Sequence, residues 1–347
     1  MGIDLVEFYV PETSRPVKEQ AQIPALDFSD ARLPVMWNWT KDPDSLSRFF
    51  ASEPRAAQGF AAELKSDEAA RLSDHSGIER VFYASDESCS DMALKVAKRL
   101  LARRPQISKS INAVICYHST LNEEPNSSVA GRLQYELGLK GASAFAVGQK
   151  SGTACLTALK LACHMAMAEP EMSTFLLVGA EKIVPPYGRL FAGTTAISDG
   201  ASAMLVRAQS ECCRVLSVSA GDFSCEFFDE GRSLSSGAEV INRFVAEKSQ
   251  LVCEQVLSQL ELEWKDVSLL LAPGFSMSMI TDLKMRARIP SETIYAANLS
   301  KYGYLMNSDF AAGLATALKE SRVKRGDTVL ALSVGLDLSL ACVALKA

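Results

Sequence analysis

Short apolar runs alternate along the chain with longer segments in which apolar residues recur at helical spacing. Runs bounded by turn residues are typical of buried strands, whereas recurrence at every third or fourth position is typical of amphipathic helices. The alternation of these two patterns predicts an α/β protein. The predicted strands cover residues 3–10, 112–117, 174–179, 204–206, 267–272, 328–332 and 338–345. The predicted helices cover residues 90–104, 127–137, 153–168, 240–260 and 309–318.

The centre of the chain carries the most information. A short apolar run at 144–147 leads into Gly-Gln-Lys-Ser-Gly at 148–152, and residues 153–168 are mostly Ala, Leu, Cys or Met on every face. A helix that is apolar all round is expected in the middle of a large protein. The uninterrupted strand at 174–179 favours parallel neighbours. Residues 30–58 lack periodicity and are expected to form a covering loop region with short helices.

Composition and charge narrow the class of protein. The chain has 347 residues, of which 48% are hydrophobic and 22% charged, so it has ample apolar area for about two domains and is not generally disordered. The net charge of −5 does not indicate a basic surface that would bind the phosphate backbone of a nucleic acid. No apolar run approaches the roughly 18 residues that a membrane span needs. The ends carry no targeting or lipidation pattern, so we expect a cytoplasmic protein.

Nine cysteines and three histidines are scattered without a Cys-x-x-Cys pair or a metal-ligand spacing. We therefore expect reduced, mostly buried thiols that behave as small hydrophobic side chains. The sequence predicts neither a metal site nor a cofactor.

Five short pieces give the chain a family resemblance, through their order and spacing together. They resemble the β-ketoacyl-ACP synthase III branch of the thiolase-fold condensing enzymes. The resemblance implies an α/β, thiolase-like fold with two pseudo-symmetric halves in a layered α-β-α-β-α arrangement. The halves would cover 1–208, with a loop insertion around 30–75, and 209–347. The pieces are Gly-Leu-Lys-Gly-Ala-Ser-Ala-Phe (138–145), Leu-Val-Gly-Ala-Glu (177–181), Ser-Asp-Gly-Ala-Ser-Ala (198–203), Asn-Leu-Ser-Lys-Tyr-Gly (298–303) and Ser-Val-Gly (333–335).

The resemblance also implies a mechanism. In the family, a cysteine at the N-terminus of the central helix takes an acyl group from a CoA or carrier-protein thioester, helped by the helix dipole. A histidine and an asparagine, or a second histidine, from the C-terminal half polarise the thioester carbonyl. The cysteine amide and a glycine-rich turn supply the oxyanion hole.

The nucleophile position is not a cysteine in this chain. Counting back seven residues from Leu159 gives Gly152, and counting forward six from Phe145 gives Ser151. Because the helix is the firmer anchor, we place the position at Gly152 and keep Ser151 as the alternative. Cys155 would lie one turn inside the helix, where we expect a packed side chain.

The other family positions are also substituted. The family's Pro-His is Pro273-Gly274 here, and its asparagine position is Tyr304. Asp309 matches an acidic position of acyltransferase-like relatives. The histidine that such an aspartate would orient is absent from the matching position of this chain. Of the glycine triplet before the last strand only Gly335 is kept.

Two interpretations of the function follow. The favoured one is a catalytically degenerate subunit that pairs with an active paralogue in acyl-thioester metabolism of fatty-acid or polyketide type, which we expect to be secondary metabolism. The alternative is an acyltransferase with an unusual centre in which Ser151 accepts the acyl group. The expected partners are acyl-CoA or acyl carrier protein, and a second subunit in a homodimer or heterodimer. We expect no cofactor, no nucleic acid and no membrane partner.

Overall fold

The computed structural model describes residues 1–19, 22–23, 72–120, 128–183, 188–287 and 289–347. The predicted loop region at 30–58 lies outside these residues, as does most of the insertion placed around 30–75. The strands are β1 (Gly2–Tyr9), β2 (Ser14–Pro16), β3 (Gln22–Ile23), β4 (Arg80–Phe82), β5 (Ala113–Tyr117), β6 (Ser143–Val147), β7 (Thr174–Glu181), β8 (Leu190–Phe191), β9 (Thr195–Ala196), β10 (Gly200–Arg207), β11 (Arg214–Asp222), β12 (Leu269–Leu271), β13 (Ile294–Tyr295), β14 (Thr328–Val334) and β15 (Ser339–Lys346). The helices are α1 (Cys89–Ala102), α2 (Val129–Glu136), α3 (Ala154–Ala168), α4 (Ser224–Asp229), α5 (Ala238–Gln259), α6 (Met277–Ala287), α7 (Ala297–Tyr302) and α8 (Asp309–Lys319).

The main sheet consists of two halves with the same strand order. Its order is β13-β12-β14-β15-β11-β1-β10-β7-β5-β6. The halves meet at β11 and β1, which share the single register pair Gly2–Arg214. If the five strands of each half are numbered along the chain, both halves have the order 3-2-4-5-1. In both halves, strands 3, 2 and 4 of this order pair parallel to one another. Strand 5 pairs antiparallel with strand 4 on one side and with strand 1 on the other. The two pseudo-symmetric halves are therefore confirmed.

The boundary between the halves, placed at residue 208, falls between β10 and β11. It stays a prediction. The expectation for the strand at 174–179 needs a correction: β7 is parallel to β5 but antiparallel to β10. Complete burial does not distinguish the two directions, because β10 is also covered on both faces.

The layers follow from the alternation of side chains along the strands. On β5, Ile115 faces a cluster that contains α3 and α8, whereas Cys116 faces α1 and α2. On the other half, α5 and α6 cover the outer face of β12, β14 and β15. The two halves of the main sheet therefore form two layers. The order of layers is outer helices, one half of the sheet, α3 with α8, the other half of the sheet, and outer helices. The predicted α-β-α-β-α arrangement is confirmed.

Local sequence signals explain where the helices begin. Ser88 accepts a hydrogen bond from the Asp91 N–H and the Asp91 carboxylate accepts one from the Ser88 N–H, a capping box that fixes the start of α1. Such a cap contributes about 1 kcal/mol to stability. No helix in the described ranges has the length and apolar character that crossing a membrane requires.

The central helix α3 is less enclosed than its composition predicts. Its first turn, including Cys155, and most of the second are buried. Near its C-terminus, His164 is exposed and Met167 is 80% exposed. The expectation of burial all round was therefore wrong for the last two turns, which leave an apolar surface at the protein exterior.

Candidate functional site

The site lies where the turn before α3 meets two segments of the C-terminal half. These are the loop between β14 and β15 and the segment between α7 and α8. Gly152 stands at the centre of this meeting point. Its φ of +77° is a left-handed conformation that favours glycine. A Cβ atom at residue 152 would overlap the Val334 carbonyl oxygen and the Tyr304 hydroxyl. The space beside Gly152 is therefore already filled.

Tyr304 is the side chain that fills this space. It is fully buried, its hydroxyl donates a hydrogen bond to the Val334 carbonyl, and its ring meets Phe275 edge-on with centroids 5.6 Å apart. Its backbone is held as well: the Tyr304 N–H donates to Ala196 at 3.0 Å, and its carbonyl accepts from Ser198 at 2.9 Å. Burial raises the pKa of Tyr304 well above its ordinary value. The hydroxyl is therefore neutral and committed to a backbone carbonyl.

Gly274 and Asp309 form a second contact of the site. The Gly274 N–H donates to Asp309 Oδ2 at 2.7 Å, and the Leu305 N–H lies 3.5 Å from Oδ1. A Cβ at residue 274 would lie 2.8 Å from Asp309 Oδ1 and 3.0 Å from the Gly303 carbonyl oxygen. Burial raises the pKa of Asp309 to about 6, partly offset by these two backbone donors. The carboxyl orients backbone amides, and within the described ranges no hydrogen bond joins it to an imidazole.

Gly335 and Ser151 form the third contact. The Gly335 N–H donates to the Ser339 carbonyl at 2.7 Å, and a Cβ at residue 335 would overlap the Ser151 carbonyl oxygen. Ser151 is half-buried, and its Oγ accepts from the Leu336 N–H at 3.3 Å. Among the described residues, no hydrogen bond joins Ser151 to a histidine or a carboxylate. Its hydroxyl has no general base in place.

The structure thus brings together all six residues predicted from the resemblance. Gly152, Ser151 and Gly335 meet at the turn before α3, and Tyr304 bridges this turn to Phe275. Gly274, next to Phe275, connects the group to Asp309. Cys155 lies inside α3, fully buried, and burial raises the pKa of its thiol to about 12. It is not a thiolate.

Sequence reasoning missed a buried polar network behind this site. The Glu181 carboxylate accepts from the N–H groups of Ser119 and Thr120, both at 2.8 Å, and from the Thr120 hydroxyl at 2.7 Å. Asn307 Nδ2 donates to Glu181 as well, while its Oδ1 accepts from the Ala154 N–H at 2.8 Å. The first amide of α3 is therefore bound by an Asn307 side chain. Glu181 is the last residue of the motif at 177–181. That motif indicated the fold but did not indicate that Glu181 would organise a buried hydrogen-bond network.

Comparison with known proteins agrees with the family resemblance seen in the sequence. Residues 257–347 match the family model for the C-terminal part of 3-oxoacyl-[acyl-carrier-protein] synthase III. A β-ketoacyl-[acyl-carrier-protein] synthase III from Clostridium perfringens strain SM101 is 25% identical over 295 residues, covering 79% of this chain and 90% of that protein. One from Aquifex aeolicus is 26% identical over 285 residues, covering 79% and 89%.

Solved structures agree on the fold. The crystal structure of 3-oxoacyl-[acyl-carrier-protein] synthase III from Aquifex aeolicus VF5 superposes with a TM-score of 0.74 at 20% identity, covering 100% of this chain and 99% of that one. These matches confirm the resemblance seen in the sequence: the chain is similar to β-ketoacyl-ACP synthase III proteins and has their thiolase-like fold.

Proposed function

We propose that this chain forms no acyl-enzyme of its own and acts as a partner subunit of an active paralogue in cytoplasmic acyl-thioester metabolism of fatty-acid or polyketide type. One observation carries the proposal. The space in which a side chain at residue 152 would lie is occupied by the Tyr304 hydroxyl and the Val334 carbonyl. A nucleophile at this position has neither an atom to react nor a volume to occupy.

The remaining positions support the same conclusion. Acyl transfer needs a nucleophile and donors aimed at the carbonyl oxygen that becomes charged. The Tyr304 hydroxyl already donates to Val334, and Gly274 has no side chain with which to donate. Asp309 binds backbone amides instead of an imidazole. Because the catalytic residues of such a site act together, the loss of several leaves little rate acceleration beyond what substrate binding alone provides.

The surface of the N-terminal half supports pairing with a second subunit. β6 is the edge strand on the N-terminal side of the main sheet, and its Phe145 and Val147 are only half-buried. Met167, at the end of α3, is 80% exposed, and Tyr135, near the end of α2, is 84% exposed. An uncovered apolar edge strand invites pairing with another chain. We therefore expect this face to lie in a dimer interface, and obligate interfaces bury more than about 2,000 Å².

Co-expression with an intact ketosynthase III homologue from the same genome, one that carries the cysteine and the histidine, tests the pairing. We expect a heterodimer by light scattering, in which radiolabel from acetyl-CoA appears only on the homologue. A charged residue in place of Met167 should weaken the dimer, whereas the same change at Met285, 68% exposed on α6, should not. A stable monomer at micromolar concentration, alone and with the homologue, contradicts the proposal.

An acyltransferase that uses Ser151 is the second candidate. It is favoured by the half-exposed position of Ser151 at the turn before α3, where the helix dipole stabilises developing negative charge. Peptide mapping after incubation with acyl-CoA distinguishes the two candidates. An acyl group on Ser151, lost in Ser151→Ala, supports the second and refutes the first.

A further inference from the structure

A small cleft lies between the segment after β12, the start of α7 and the first turns of α8. We name it the Asn298 cleft. Exposed Ala297 and half-buried Gly313 stand at its outer end, whereas Asn298 and Asp309 are 6% and 7% exposed and line its inner end. Its volume is about 10 Å³, which is close to the space that one water molecule needs. The cleft therefore accommodates only a ligand of that size.

The side-chain amide of Asn298 is bound at one end only. Its Oδ1 lies 3.1 Å from the Thr316 hydroxyl, which also lies 2.8 Å from the Ala312 carbonyl oxygen. Its Nδ2 is buried and has no hydrogen-bond partner among the described residues. A buried amide nitrogen without a partner is costly, because it has given up its hydrogen bonds to bulk water. A ligand with a hydrogen-bond acceptor removes that cost.

The need for a ligand does not depend on the direction in which the amide is turned. The Thr316 hydroxyl has one hydrogen, so a hydroxyl that donates it to Ala312 is able to accept from an amide nitrogen. In that orientation the unpartnered atom of Asn298 is the oxygen, and the ligand must donate. A water molecule both donates and accepts, whereas an anion only accepts and an ammonium ion only donates.

The Asp309 carboxyl group has capacity for a further partner. Its Oδ2 accepts from the Gly274 N–H at 2.7 Å, and the Leu305 N–H lies 3.5 Å from its Oδ1. A carboxylate offers about four lone-pair positions, so acceptor capacity remains. Both of these neighbours are donors, and a protonated carboxyl group would need an acceptor as well. A water molecule satisfies the carboxyl group in its charged and in its neutral form.

The lining does not match a metal ion. The third polar side chain of the lining is Tyr295, whose hydroxyl donates to Glu320 Oε2 at 2.7 Å. A calcium or magnesium ion takes about six oxygen ligands. Within the part of the chain that the structure describes, no group of three or more His, Cys, Asp or Glu could hold a metal ion.

We propose that the Asn298 cleft is a binding site for one water molecule, which bridges the Asn298 side-chain amide and the Asp309 carboxyl group. The water accepts from Asn298 Nδ2 and donates to an Asp309 oxygen. It thereby links α7 to the start of α8 and supports the carboxyl group that holds the Gly274 N–H. The proposal is independent of acyl transfer and of the partner subunit.

A high-resolution crystal structure of the full chain tests the proposal. We expect density for one water molecule at about 2.7–3.2 Å from both the Asn298 amide and the Asp309 carboxyl group. In solution, NMR of protein made with isotope-labelled asparagine should show a nuclear Overhauser effect between the Asn298 amide hydrogens and water, with the sign of a long-lived complex. These two measurements on the wild type decide the question even where a variant fails to fold.

Two variants complete the test. Asn298→Leu keeps a side chain of similar size but removes the amide, and we expect the water to be lost, because Asp309 alone leaves it with too few polar partners. Thr316→Val is the matched control, since it removes the other partner of the same amide from outside the cleft and should keep the water.

Four results would overturn the proposal. They are a wild-type cleft with ordered side chains and no water, a metal ion in that density, an Asn298 amide whose two ends both bind protein atoms, and a water that is kept in Asn298→Leu or lost in Thr316→Val. Circular dichroism checks that both variants fold.

Discussion

Replacement of Gly152 by alanine tests how tightly the centre is filled. The new Cβ would sit in a left-handed conformation, which costs about 1 kcal/mol. It would also force the Tyr304 hydroxyl away from the Val334 carbonyl, and a buried acceptor left without its donor costs about 1–3 kcal/mol more. We therefore expect Gly152→Ala to lower the free energy of unfolding by about 3 kcal/mol.

Gly231 is the matched control for this change. Its φ is +72°, but a Cβ there would meet nothing within 4 Å. Gly231→Ala should therefore cost only the conformational part, about 1 kcal/mol. Urea unfolding, followed by circular dichroism at one fixed protein concentration, measures both variants. Equal losses in the two would mean that the space beside Gly152 is open, and the reasoning above would be refuted.

Three further predictions concern the same region. Tyr304→Phe should destabilise the protein by about 2 kcal/mol in urea unfolding, because it leaves the Val334 carbonyl unpaired; an unchanged midpoint would show that this bond contributes nothing. Burial raises the pKa of Asp309 from 3.8 to about 6, so the folded state binds this proton more tightly than the unfolded state, and the resulting stability is full below about pH 4 and is lost as pH rises through 6. The wild type should thus lose about 2 kcal/mol relative to Asp309→Asn between pH 4 and 7, and a constant difference across that range would count against it. Finally, a thiol reagent should modify the exposed Cys212 in the native protein but leave Cys155 untouched, as mass spectrometry of the peptides would report, whereas early labelling of Cys155 would mean that α3 opens.

The pattern of apolar residues in the sequence predicted the buried elements of the fold but few of the half-exposed or short ones. β7 and the start of α3 are buried on all sides, and their uninterrupted apolar sequence shows this. β11 was missed because Arg214–Asp222 is half-exposed and mixes Ser with Val, although it pairs with β15 along its whole length. The six-residue helix α7 is too short to establish a periodicity.

The site was located through family resemblance, and its contents were beyond sequence reasoning. Glycine carries no chemical signal, so Gly152 and Gly335 could be placed only by alignment of motifs. The atoms that fill the space beside Gly152 come from Tyr304 and Val334, more than 150 residues away along the chain, and no local pattern reports such contacts. Asn307 was missed for a similar reason, since an uncharged amide shows its importance only through its partners.

The most direct test of the central claim is the intact mass of the purified chain after incubation with acetyl-CoA, malonyl-CoA and octanoyl-CoA. Under denaturing conditions, which preserve a thioester or an ester, we predict an unchanged mass with every donor, because the space beside Gly152 holds the Tyr304 hydroxyl and no nucleophile. An added acyl group within the peptide that contains residues 148–160 would contradict the account.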